Sequence, residues 1–140
     1  MKFKYEYFFG PERNNPKTIK DFEEIHEHYK LEEHYYPTNF KRFNLLIMVY
    51  HNNKPVSFCG INNRNGYWYF RGTYVLPEYR GNGLQNKMAL KGYGLLRKRG
   101  IPQVTSMAHI ENKISQRNIE KRGMKKTGRR KTNYHYKQLL

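Results

Sequence analysis

Arg80-Gly81-Asn82-Gly83 joins the end of one apolar run to the start of another, and its residue types are those that bind phosphate. Two glycines two positions apart leave room for a ligand to approach the main chain. A helix starting at Leu84 would add unpaired amide donors and a partial positive charge. Arg80 supplies a fixed cation. The stretch from Val75 through Leu76 to Gln85 therefore reads as strand, turn and helix N-terminus, with its amides cradling a pyrophosphate. A dinucleotide fingerprint is excluded because G-x-G-x-x-G is absent, and a P-loop because Gly-Lys-Ser/Thr is absent.

A second block lies downstream: Asn112-Lys113-Ile114-Ser115, then Glu120-Lys121-Arg122-Gly123-Met124. Arg80-Gly81-Asn82-Gly83-Leu84-Gln85 resembles the acyl-CoA-binding signature of the GNAT superfamily of N-acetyltransferases, in its RGxGLQ form. The second block resembles the family's N-x-x-S…E-K-x-G-F pattern, with Met124 where Phe is usual. The resemblance covers about residues 43 to 126.

The resemblance implies an α+β fold: a central mixed, mostly antiparallel sheet, splayed between its fourth and fifth strands and flanked by helices. It implies acetyl-CoA as cofactor, its pantetheine arm lying in the splay against backbone groups of Tyr74, Val75 and Leu76. Arg80, Gly81, Asn82, Gly83, Leu84 and Gln85 would hold the diphosphate. Asn112 would bond the pantetheine arm, and Ser115 would sit near the CoA sulfur. Ser115 reads equally well as an ordinary hydroxyl in the first turn of a helix. The family's usual acid, a tyrosine seven positions after the Asn, is replaced here by Ile119. For the general base, His109 would lie near the splay and has a suitable side chain. Glu111 is a rival, as is Glu33 in a segment with His34, Tyr35 and Tyr36.

Charge is the other strong signal. The chain of 140 residues carries a formal net charge of +16 and a pI near 10.0. Residues 1–36 hold 6 Lys/Arg and 8 Asp/Glu, a balance of −2, so residues 37–140 carry +18. Lys121, Arg122, Lys125, Lys126, Arg129, Arg130 and Lys131 are densest. Such a field draws polyanions. It also fits a solvated tail, or a surface serving only the phosphates of a cofactor, although three phosphates need less charge. The balance favours DNA or RNA, or something bound to it, as partner, with Arg71, Lys125, Lys126, Arg129, Arg130 and Lys131 as contact residues. Rings of the run Tyr67-Trp68-Tyr69-Phe70, beside Arg64 and Arg71, could stack on bases where they face outward.

The elements that must position these residues follow from periodicity. Lys2–Phe9 alternates as a half-buried strand, and Pro16 opens a helix carrying Ile19, Phe22, Ile25 and Tyr29 on one face. Strands are expected at Leu45–His51 and Pro55–Ile61, joined by Asn52-Asn53-Lys54, with a turn over Asn62–Gly66. Tyr67–Leu76 leads into the cradle. A helix runs from Leu84 to about Arg99 despite Gly92 and Gly94, which close approach to a sheet would explain. A strand at Val104–Ile110, a helix at Lys113–Arg122 and a hairpin over Lys125–Leu140 complete one domain, 1–140. His26 and His28 cannot share a helix face, so no metal site is expected. Lone Cys59 reads as buried filler in a reducing, cytoplasmic setting, and no apolar run approaches a membrane span.

The expected function is acetyl-CoA-dependent N-acetyl transfer to a primary amine on or near nucleic acid: an amino-modified DNA base, tRNA, aminoacyl-tRNA or a ribosomal protein. Family members act in all these settings, phage DNA modification among them. The alternatives are a small-molecule amine acetyltransferase and a catalytically silent nucleic-acid-binding module.

Overall fold

The computed structural model describes residues 1–33 and 35–140. Among these, seven strands and three α-helices follow in the order β1 (Lys4–Phe9), α1 (Pro16–Tyr29), β2 (Leu45–His51), β3 (Lys54–Arg64), β4 (Tyr67–Val75), α2 (Leu84–Lys98), β5 (Gln103–His109), α3 (Lys113–Lys121), β6 (Lys125–Arg130) and β7 (Asn133–Leu139). They form one sheet in the order β1-β2-β3-β4-β5-β7-β6. Every neighbouring pair is antiparallel except β4 and β5. This is the mixed α+β architecture expected.

Burial explains the layering. Leu45 to Tyr50 on β2 are all buried, so this strand is covered on both faces. On one face lies α1, which turns Phe22, Ile25 and Tyr29 inward. Phe22 meets Phe58 edge to face at 4.9 Å. The start of α1 is fixed by Asn15, whose side chain accepts from Thr18 N–H at 2.9 Å, with Pro16 in the first turn. His26 faces inward against Phe22 at 5.1 Å and bonds the Tyr35 and Thr38 hydroxyls. On the other face, α2 buries Leu84, Met88, Ala89, Tyr93 and Leu96. A Cβ on Gly92 would stand 3.0 Å from Ile61, so close approach does account for that glycine. Gly94 faces open space, and close approach does not account for it.

The sequence misplaces one boundary that matters. β3 continues through Asn62 and Asn63 to Arg64, and the turn is only Asn65-Gly66, both at positive φ. Ladder pairing with Trp68 and Tyr69 holds the asparagines in the strand against their turn preference. Further along, the register shifts, Gly60 pairing with Gly72 and Ile61 with Phe70. Arg71 is thus an extra residue on β4, a bulge that resets which side chains face which side. Phe70 turns toward α2 and meets Tyr93, whereas Tyr74 turns toward α1 and meets Tyr29.

Candidate active site

Gly81 and Gly83 form the turn between β4 and α2. They take φ of 87° and 72°, a region L side chains avoid. A Cβ on Gly81 would meet nothing within 4 Å, and one on Gly83 only the Lys87 stem at 3.9 Å, so space above the turn is open. The helical ladder starts with Lys87 N–H donating to Gly83 at 3.0 Å. The amides of Leu84, Gln85 and Asn86 precede it, and no side chain caps them. Asn82 braces the turn by donating to the Tyr79 carbonyl at 2.9 Å. These open donors at a helix N-terminus fit a diphosphate.

Arg80 does something other than face that anion. Its guanidinium donates to Glu32 at 2.8 Å and to the Val75 carbonyl at 3.1 Å. The same Glu32 oxygen accepts from the Tyr74 hydroxyl at 2.9 Å. Bonding to Arg80 holds the Glu32 carboxyl below its ordinary range. Burial, with Glu32 opposite, pushes the Tyr74 phenol up to about 12. The cluster ties the segment after α1 to the exit of β4. Nothing in the spacing of these residues announces it, because 42 positions separate Glu32 from Tyr74.

Between β4 and β5 only Tyr69 and Thr105 register as partners, and the strands part beyond them. A slot of about 300 Å3 opens there, lined by Arg64, Tyr67, Tyr69, Phe70, Arg71, Thr105, Ser106, Met107 and His135. It runs into a groove of about 330 Å3 that shares Tyr67, Thr105 and His135 and adds Thr127, Gly128, Arg129 and Arg130. From Arg71 the strand β4 runs four residues, roughly 13 Å, to Val75 at the cradle side. The slot and the amide cradle are therefore the two ends of one strand.

The expected residues distribute unevenly. Arg71, Arg129 and Arg130 line the slot and groove. Lys126 points instead to the α3 side, 3.7 Å from Glu120 and over the Tyr134 ring at 3.9 Å. Lys131 sits in the β6–β7 turn at φ 55°. Asn112 caps α3 by accepting from Ser115 N–H at 3.1 Å. Ile119 is buried at 2% exposure, packed in the core. Buried Gln116 fixes the end of β5 by donating to the His109 and Ile110 carbonyls, each at 2.9 Å. Glu111 N–H donates to His109 Nδ1 at 3.1 Å, so a neutral His109 carries its proton on Nε2. The Glu111 side chain is exposed, as is Glu33, and His34 lies outside the described residues. Cys59 is buried and its thiol is pushed up to about 11 by desolvation, which makes it inert. Among the described residues no cluster could hold a metal ion. His135 is the residue that sequence reasoning missed. It reaches the slot because β7 pairs it with Met107, a register no local signal reveals.

A sheet parted between two parallel strands, with an uncapped glycine turn at the exit of one of them, defines an acyltransferase-type fold. Residues 12–124 match the Acetyltransferase (GNAT) family. The chain belongs to that family. Comparison with curated protein sequences finds no match. Among solved structures, it resembles the ribosomal-protein-S18-alanine N-acetyltransferase of Escherichia coli with a TM-score of 0.76 at 13% identity, over 99% of this chain and 94% of that one. An acetyltransferase from Streptococcus agalactiae gives 0.77 at 14%, over 99% and 98%. The PaiA N-acetyltransferase of Thermoplasma acidophilum, solved with coenzyme A, gives 0.65 at 15%. There the match covers 68% of this chain and 60% of the other. No helix among the described residues is long and apolar enough to cross a membrane.

Proposed function

We propose that this protein transfers an acetyl group from acetyl-CoA to a primary amine carried on, or held close to, a nucleic acid. One observation carries the reading: the slot where β4 and β5 part opens directly into a groove lined by arginines and tyrosines. The open amides of the Gly81–Gln85 turn hold the diphosphate, and backbone groups of Tyr74, Val75 and Leu76 align the arm along β4. The acceptor nitrogen enters by way of the groove. Its lone pair forms the C–N bond as the C–S bond breaks, and the CoA thiolate leaves and takes up a proton. The amine proton passes to an imidazole. Among the described residues that line slot and groove there is no carboxylate, and His135 is the one imidazole. His109, further along β5, is the second candidate. Proximity supplies much of the rate in such a transfer, so a missing acid at Ile119 is tolerable.

Release of CoA thiol from acetyl-CoA tests this, with tRNA, single-stranded DNA and a simple polyamine as separate acceptors. Thiol release is expected with a polynucleotide and not with the polyamine; the reverse would favour a small-molecule enzyme. Gly83→Asp places a carboxylate among the amides and should abolish acetyl-CoA binding in calorimetry. His135→Gln should slow release roughly 100-fold, the scale of one general base.

A further inference from the structure

The sheet is covered unevenly. On the side of α1, the strands β5, β7 and β6 present Thr105, Met107, His135 and Lys137, half-buried or exposed, and every residue of β6 is exposed. Cross-strand pairing places Thr105 beside Lys137 and Lys137 beside Lys125 on that face. Two lysines are thus cross-strand neighbours, and among the described residues neither forms a salt bridge. Like charges in that arrangement destabilise a sheet. The face continues past His135 to Tyr67 and Tyr69, whose rings lie 5.7 Å apart at 36°, with Tyr67 49% exposed. Arg64 and Arg71 line the slot with these rings, and Arg130 lines the groove with Tyr67.

We infer that this face is a binding track for a single-stranded polynucleotide, with bases stacked on Tyr67 and Tyr69 and phosphates drawn to Lys125, Lys137 and Arg130. The inference rests on the proposed acceptor class and names its form. Cations repeated beside exposed rings are what a flexible strand needs, since every base offers a π-face and every linkage a charge. An amine on a base reaches the slot at the end of the track only when that base is unpaired. The uncompensated Lys125–Lys137 pair is explained as well, because phosphate bound between them offsets their repulsion.

Fluorescence anisotropy with a labelled oligothymidylate of about 12 nucleotides, against a duplex of equal length, tests this. The single strand should bind at least tenfold tighter. Lys125→Gln/Lys137→Gln should weaken it about tenfold and cut its salt slope by roughly 1.4, at about 0.7 per phosphate. The same variant should raise the Tm of the free protein, which a purely structural pair would not do. Tyr67→Ala should weaken binding about tenfold without changing the slope, and Tyr67→Phe should restore it. Arg97→Gln/Lys98→Gln, on the exposed end of α2, removes equal charge and should change little. Equal loss in that control, equal duplex affinity, or no loss with Tyr67→Ala would overturn the inference. Acetyl-CoA affinity, measured separately, reports on the acetyl-transfer reading independently of these outcomes.

Discussion

Glu32 is the one acidic side chain bound to the cradle's arginine, and its setting gives a pH signature. Arg80 and Tyr74 stabilise the carboxylate, so the folded state binds its proton more weakly than the unfolded chain. A lowered carboxyl contributes stability that is present above the free carboxyl's range and is lost as pH falls through the lowered value. The pair with Arg80 is exposed enough, at 38% for Glu32, that water screens most of it. Its contribution is about 1 kcal/mol at most. Glu32→Gln should therefore lower Tm slightly near neutrality and flatten the decline as pH falls through and below the ordinary carboxyl range. Thermal melts across that range check this; parallel curves for both proteins would mean the cluster contributes nothing. On the alkaline side, Tyr74 has a phenol raised to about 12 and stabilises the fold only below the range of a free phenol. That stability is lost as pH rises from about 10 toward 12.

At the scale of the element, β3 and β4 decide the site through one irregularity. Gly60 lies where the register shifts, and a Cβ there would stand 2.2 Å from the Phe43 ring. Phe43 is itself 1% exposed and packed among Phe22, Phe40 and Phe58, so the ring has nowhere to go. Gly60→Ala should cost about 1–3 kcal/mol by overpacking, and should loosen the bulge that sets Arg71. Denaturant unfolding measures the first effect; an unchanged midpoint would show that Phe43 can yield. The bulge also marks where the sequence stops being informative. Gly81 and Gly83 were legible because their role is local: a positive φ and an open amide turn need only glycine at that spot. Alternation in β1 and the helical spacing of Phe22, Ile25 and Tyr29 were legible for the same reason. His135, the Glu32–Tyr74 bond and the Gly60 contact join elements far apart in the chain. Their residues carry no signal until the sheet order β4-β5-β7 brings them together. Asn62 and Asn63 misled because a turn propensity yields to the ladder with β4.

The whole molecule carries its charge in a way the fold alone does not require. Against a net +16, the salt bridges among the described residues engage five carboxylates, three of them along β1 and α1. The half of the sheet containing β5, β6 and β7 is left with Lys125, Arg129, Arg130 and Lys137 on two adjacent strands and Lys131 in the turn between them. Their mutual repulsion is long-ranged in water at low salt and shrinks as the screening length falls from about 30 Å at 0.01 M to about 3 Å at 1 M. Tm should therefore climb steadily with sodium chloride over that range. A short polyphosphate at low salt should raise it further, because it binds the folded track and not the dispersed charges of the unfolded chain. Lys125→Gln/Lys137→Gln should flatten the salt dependence, since it removes a pair of cross-strand neighbours. Differential scanning calorimetry across the series reads all three effects. A Tm indifferent to salt would mean that the positive charge is spread too evenly to favour any one face, and the groove would lose its standing as the place where an acidic partner collects.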